Sequence, residues 1–307
     1  MTCAVIFAYH NVGVRCLSVL LAHGIEIPLV VTHTDNLNEN IWFDSVAKLA
    51  ALHDIPVITP DDPNTPEIIA QIQGLEPDFI FSFYYRNMLK KPLLDIPTRG
   101  AFNMHGSLLP HYRGRVPINW AIIKGERETG ATLHVMNEKP DNGAIVDQQA
   151  IPILPNDTAL EVFHKATCAA EVALNRCLPA LLTGTARLKP QDLSQGGYFG
   201  GRRPEDGKID WLQSAQSIHN LVRAVAPPYP GAYTWLAGRP MRVLQTLVEP
   251  QRKGRGLGPA LYCENGRCYA ECGDGSMLRI LTCEVDGKAM TADELIASGK
   301  DSLPLGE

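Results

Sequence analysis

The chain has 307 residues and a formal charge of −5, from 28 Lys and Arg against 33 Asp and Glu. Apolar residues make up 45% and charged residues 20%, ordinary globular usage that fills the cores of about two domains and argues against disorder. The acidic balance excludes an extended nucleic-acid surface, which needs clustered Lys and Arg, and no apolar run reaches the ~18 residues of a membrane span.

Residues 3–8 open as an apolar strand without a basic flank or small-residue cleavage site, so a cytoplasmic protein is expected. Residues 27–32, 55–58 and 79–83 are further apolar runs of strand length, continuous as buried parallel strands are. Between them, 12–22, 45–52 and 66–73 carry helical spacing, with Pro66 suited to a first helical turn. A strand over 101–104, a helix over 117–124, strands over 131–136 and 144–153, and a long helix over 158–182 follow. Alternating strands and helices predict an α/β fold, a Rossmann-like, mostly parallel sheet with helices on both faces. The first domain is expected over 1–183.

Composition changes at Gly184. Residues 184–207 hold Gly196, Gly197, Gly200, Gly201 and Gly207 with Pro190 and Pro204, the make-up of a connection. Beyond it, a helix over 214–225 precedes short strands broken at Ala237-Gly238, Asn265-Gly266 and Asp286-Gly287. Asn-Gly and Asp-Gly favour two-residue hairpin turns, so 208–307 is expected to form a small antiparallel β domain, an OB-like barrel. The eight cysteines form no Cys-x-x-Cys pair and match no common zinc spacing, so they are expected as reduced, mostly buried thiols and no metal is expected.

The segment Phe102-Asn103-Met104-His105-Gly106-Ser107-Leu108-Leu109-Pro110 carries the chemistry. On a strand, Asn103 and His105 share one face, and Gly106 puts them at the carboxyl end, where open α/β sheets bind ligands. An amide donor can hold a developing oxyanion while an imidazole moves a proton. Asp141, in the turn Lys139-Pro140-Asp141-Asn142-Gly143, could orient that imidazole. A lone strand-end histidine is often structural, and a turn aspartate ordinarily caps its own backbone. From the residues alone, both readings stand.

Asn-x-His-Gly-Ser-Leu-Leu-Pro, then Tyr112-Arg113-Gly114-Arg115 and the Asp-x-Gly of Asp141 and Gly143, resembles the signature of the folate-dependent formyltransferases. Ile209-Asp210-Trp211, Val222-Arg223-Ala224 and Pro230-Gly231-Ala232-Tyr233 extend the resemblance to members with a small C-terminal barrel. The resemblance implies Asn103, His105 and Asp141 as catalytic triad and 10-formyltetrahydrofolate as formyl donor. It implies that the pterin lies against Asn87, Met88 and Leu89, with Arg115 nearby and the loop Asn137, Glu138, Lys139 and Pro140 closing over it. A carboxylate beside His105 is expected to raise its pKa.

Phe7-Ala8-Tyr9-His10, Thr32-His33-Thr34-Asp35 and Phe81-Ser82-Phe83-Tyr84-Tyr85-Arg86 resemble members that formylate a nucleotide-linked amino sugar, UDP-4-amino-4-deoxy-L-arabinose, in lipid A modification and polymyxin resistance. Tyr9, Arg202, Arg203 and Tyr229 are then expected at the acceptor, with Arg223 a further guanidinium for a diphosphate. A homo-oligomer and a separate decarboxylase of the same pathway are compatible with the resemblance. Methionyl-tRNA formyltransferase is the first alternative, but 35–40 read Asp-Asn-Leu-Asn-Glu-Asn, without a basic insertion. Residues 208–307 also balance, eleven Lys and Arg against eleven Asp and Glu, where phosphate neutralisation needs a surplus. A 10-formyltetrahydrofolate hydrolase is the second. A nicotinamide enzyme is excluded, because Tyr9-His10-Asn11-Val12-Gly13 lacks Gly-x-Gly-x-x-Gly.

Overall fold

In the computed structural model, which describes residues 2–36, 39–256, 258–291, 294 and 302–306, the chain opens with β1 (Cys3–Ala8), α1 (His10–Ala22) and β2 (Glu26–Val31). α2 (Val46–Leu52), β3 (Val57–Ile58), α3 (Pro66–Gln73), β4 (Phe79–Phe83), α4 (Lys91–Leu94) and β5 (Ala101–His105) follow. Then come β6 (Arg113–Gly114), α5 (Pro117–Ile123), β7 (Glu128–Val135), β8 (Ile145–Pro152), α6 (Ala159–Thr183) and β9 (Tyr198–Phe199). Helix starts sit where the caps put them: the Ser45 side chain accepts from Lys48 N–H, and Thr65 accepts from Ile68 N–H ahead of Pro66.

The large sheet runs β3-β2-β1-β4-β5-β7-β8. The five strands from β3 to β5 are parallel, and β7 and β8 add antiparallel. β1 and β4 lie in its middle, and Phe7, Phe79, Phe81 and Phe83 are buried there. The chain winds one way from β1 to β2 and β3 and the other way through β4 and β5. The carboxyl ends of β1 and β4 therefore flank the crevice where such sheets receive ligands. β5 runs one residue past the expected 101–104, so His105 is itself a strand residue.

The chain divides into two compact units. The first comprises Met1–Pro117, Glu128–Pro152 and His164–Gly200; the second comprises Ile118–Arg127, Ile153–Phe163 and Gly201–Glu307. In the second, α7 (Ala215–Ala224) precedes β10 (Ala232–Leu236), β11 (Arg239–Val248), β12 (Ala260–Glu264), β13 (Arg267–Glu271), β14 (Met277–Val285), β15 (Lys288–Met290) and β16 (Leu303–Pro304). The strand order β10-β11-β14-β13-β12-β16, with a bridge between Leu236 and Leu305, makes a nearly closed antiparallel barrel. Trp211, Ile218, Val222, Met241, Val243, Leu278 and Val285 are among the residues of its core. Each expected hairpin turn has positive φ at both central residues: Ala237-Gly238, Asn265-Gly266 and Asp286-Gly287.

The turn at Asn265-Gly266 corrects one expectation. It sets Glu264 opposite Arg267 and Cys263 opposite Cys268, and those two sulfurs are joined as a disulfide. The Cα atoms are 4.2 Å apart, near the spacing of a non-hydrogen-bonded antiparallel pair. Not all eight cysteines are therefore reduced thiols. A cross-strand pair is set by register, which a search for Cys-x-x-Cys spacing does not test. Among the described residues, no helix is long and apolar enough to cross a membrane.

Arg223 corrects another. Its guanidinium is buried at the inner face of α7, where it donates to Asn220 Oδ1 and to the carbonyls of Leu154 and Asp157. It holds the segment before α6 against the barrel unit instead of facing a phosphate. Arg223→Met should lower stability by about 2–3 kcal/mol, because carbonyls that it satisfied stay buried. Thermal unfolding measures this, and an unchanged acceptor KM separates it from a binding role.

Candidate active site

β5 and β7 build the centre by their register. Asn103 stands opposite His134 and His105 opposite Thr132. Asn103 Nδ2 lies 3.2 Å from His134 Nε2. The β7–β8 loop then brings Asp141, in a left-handed conformation (φ 56°), to 3.5 Å from both His105 Nδ1 and His134 Nε2 through Oδ1. Asn103 and His105 thus stand at the end of β5 with Asp141 beside His105. His134 joins them without having been singled out.

The hydrogen bonds fix both tautomers. His105 Nε2 sits 2.8 Å from the Tyr112 carbonyl. A carbonyl only accepts, so Nε2 carries the proton and the Nδ1 lone pair faces the Asp141 side. His134 Nδ1 likewise donates to the Val135 carbonyl at 2.8 Å. That leaves His134 Nε2 to accept from Asn103 and turns the amide so that its second N–H and its oxygen point elsewhere.

Burial lowers the His105 pKa below the ordinary value; Asp141 and the Tyr112 carbonyl pull the other way without overcoming it. This overturns the expectation of a raised His105. His105 is 6% exposed, and desolvation of imidazolium outweighs a carboxylate held 3.5 Å away. Burial alone would raise Asp141, but His105, His134 and the Gly114 N–H together lower it to about 2. At neutral pH the pair is a neutral imidazole beside a carboxylate.

Asp141 is braced from the far end of the unit. Its Oδ2 accepts from Gly114 N–H at 2.9 Å, and Gly114 belongs to β6, which pairs in parallel with β9 from the glycine-rich stretch. A Cβ on Gly114 would collide with the Phe199 carbonyl, at φ 101°, so only glycine allows this approach. Gln191 Nε2 donates to the Asp141 and Gly143 carbonyls. Beside them, Leu109–Pro110 is a cis bond. Thr132 and Gln148 hold that turn through Ser107 O, Leu109 N and Leu109 O.

Asn87, Met88 and Leu89 form a loop after β4 and precede α4. Asn64 pins the loop, donating to Met88 O and accepting from Lys90 N–H, while Asn87 Nδ2 donates to Asp61 O. Leu89 is buried and Met88 exposed. Arg115 follows β6, its N–H bonded to Phe199 O. In the 137–140 loop the Asn137 side chain caps Lys139 N–H, leading directly to Asp141.

Tyr9 is buried and gives its hydroxyl to Asp35 Oδ1 at 2.8 Å. Arg202, Arg203 and Tyr229 belong to the second unit. There Arg202 lies 4.9 Å over the Trp120 ring, and Arg203 N–H bonds Asp206. Tyr229 has its hydroxyl pKa raised by burial, against the pull of Asn119. Leu37 and Asn38, in the segment weighed against a tRNA-binding insertion, lie outside the described residues, as does Lys300. Among the described residues no group of three or more His, Cys, Asp and Glu is placed to hold a metal ion.

Residues 19–178 match the family model described as formyl transferase, and residues 202–300 match that of the formyl transferase C-terminal domain. Among solved structures, one similar chain is the N-formyltransferase from Helicobacter canadensis in complex with folinic acid and dTDP-3-aminofucose. It is 21% identical, with a TM-score of 0.70 over 91% of this chain and 99% of that one. WlaRD, a sugar 3N-formyl transferase in the presence of dTDP and 5-N-formyl-THF, is 19% identical, with a TM-score of 0.69 over 94% and 99%. A sugar N-formyltransferase from Shewanella sp FDAARGOS_354 is 21% identical, with a TM-score of 0.61 over 76% and 92%.

Proposed function

This chain belongs to the formyl transferase family, and from that premise we propose that it transfers the formyl group of 10-formyltetrahydrofolate to the amine of a nucleotide-linked amino sugar. The convergence of Asn103, His105 and Asp141 at the end of β5 carries the reading. The acceptor is UDP-4-amino-4-deoxy-L-arabinose, by resemblance of the segments after β1, β2 and β4.

The bound folate supplies the formyl group and its N10 as the departing nitrogen. Asn103 meets the formyl oxygen with the N–H not given to His134, and so steadies the negative charge that grows there as the amine adds. His105 Nδ1 takes the proton that the amine loses, which its neutral form allows. The imidazolium then lies against the Asp141 carboxylate until the proton passes to N10. Asn87, Met88 and Leu89 hold the pterin edge, and the 137–140 loop, continuous with Asp141, couples that site to the centre. Asp141 thereby stabilises a cation formed during reaction instead of one present at rest.

His105 is therefore expected to titrate below pH 6.5 in the free protein. Imidazole NMR signals recorded from about pH 4 to 8, assigned by their loss in His105→Ala, measure this; a midpoint above 6.5 would return His105 to a resting proton donor.

Formylation is tested by mass gain, offering UDP-4-amino-4-deoxy-L-arabinose, a dTDP-linked amino sugar and methionyl initiator tRNA separately with 10-formyltetrahydrofolate. Gain on a sugar alone supports the reading, and the preferred nucleotide names the base. Transfer to tRNA, or formate release with every acceptor unmodified, would overturn it in favour of the tRNA enzyme or the hydrolase.

A further inference from the structure

The carboxyl ends of β1, β2 and β4 carry a cluster of rings that the catalytic steps do not use. His10 stacks on Phe43 with centroids 3.8 Å apart, and Trp42 meets the His10 ring edge-on at 4.6 Å. Tyr9 touches Phe43 at 5.0 Å. His10, Trp42 and Phe43 are each only partly buried. The cluster also reaches the catalytic strand: the Tyr84 hydroxyl fills the space where a Cβ on Gly106 would stand, and Gly106 follows His105. Tyr84 in turn lies 6.5 Å from the His10 ring.

The charges around these rings are specific. Arg86 is held by both oxygens of Glu39, at 2.9 and 3.0 Å, and its guanidinium sits 4.8 Å over the Tyr9 ring. Burial, with Arg86 adding to it, lowers His10 to about 3 and His33 to about 4, so neither ring is cationic at neutral pH. The Arg86 cation is thus neutralised in place, while Asp35 presents an exposed carboxylate at the rim. Aromatic faces beside a carboxylate, with the neighbouring guanidinium already committed, do not suit a diphosphate. They suit a pyranose, whose C–H face lies on rings while its hydroxyls donate to carboxylate oxygens.

Resting on the functional reading above, we propose that Phe43, His10 and Trp42 form the platform for the amino-sugar ring of the acceptor, with Asp35 as its polar selector and Tyr84 marking the passage to His105. The diphosphate and base then lie away from this cluster. The platform is a specificity site: it decides which sugar presents its amine to the formyl group.

The test compares Phe43→Ala and Asp35→Asn with the unaltered protein. It reads the acceptor KM with UDP-4-amino-4-deoxy-L-arabinose, the KM for the folate donor, and inhibition by UMP, which has the base and no amino sugar. The acceptor KM should rise about tenfold or more in each variant, with folate KM and UMP inhibition unchanged. Asp35→Asn keeps the apolar packing, so it answers even where Phe43→Ala fails to fold. Equal weakening of UMP would make this a base platform and overturn the proposal. Unchanged acceptor KM in both variants would overturn it while leaving the formyltransferase reading intact. If the unaltered protein formylates no nucleotide sugar, both fall together.

Discussion

His105→Ala is expected to lower kcat by about 10²–10⁴, with the folate KM nearly unchanged. His105 is buried at the end of β5, its Nε2 proton committed to Tyr112 O and its Nδ1 turned toward Asp141. The variant removes the group that takes the amine's proton and returns it to the leaving nitrogen. Asp141 remains, but a carboxylate is ordinarily too weak a base to replace an imidazole. Steady-state rates with and without added free imidazole measure the effect, and partial rescue by imidazole distinguishes lost proton transfer from a disturbed fold. A rate within about threefold of the unaltered protein would take His105 out of the reaction.

Asn103→Ala should cost about 10²–10³ in kcat, the typical loss of one oxyanion donor. The amide's value lies in its orientation, and that orientation depends on His134. With His134 Nε2 accepting from Nδ2, the amide cannot flip without setting its oxygen against a lone pair. His134→Ala should therefore lose part of the same factor, and the double variant should cost less than the product of the two, as groups acting as a unit do. Presteady-state rates on all three variants read this coupling. Independent, multiplying effects would separate His134 from Asn103.

The fold was legible where its causes are local. Ser45, Thr65 and Ser214 cap the helices that follow them, and the Gly-containing turn pairs supply positive φ where hairpins need it. Asn103 and His105 were legible because a period of two puts them on one face of a strand. His134 was not, since it becomes part of the centre only through the antiparallel register of β5 with β7, which neither strand's own sequence encodes. The same holds for Cys263 with Cys268. Arg223 misled because a guanidinium looks alike in any sequence; its partner carbonyl at Asp157 lies 66 residues away. The sign of the His105 shift was illegible too, because it depends on how completely the ring is buried.

The pairing of β6 with β9 has a consequence in time. A chain leaving the ribosome N-terminus first has Asn103, His105, His134 and Asp141 in hand well before Tyr198 and Phe199. About 60 residues separate Asp141 from that closing strand, roughly 3–12 s at about 5–20 residues per second. During that interval the chain lacks the strand that, in the folded protein, pairs with β6 beside the Gly114 that donates to Asp141. The reacting groups are thus translated before the strand that pairs beside Gly114.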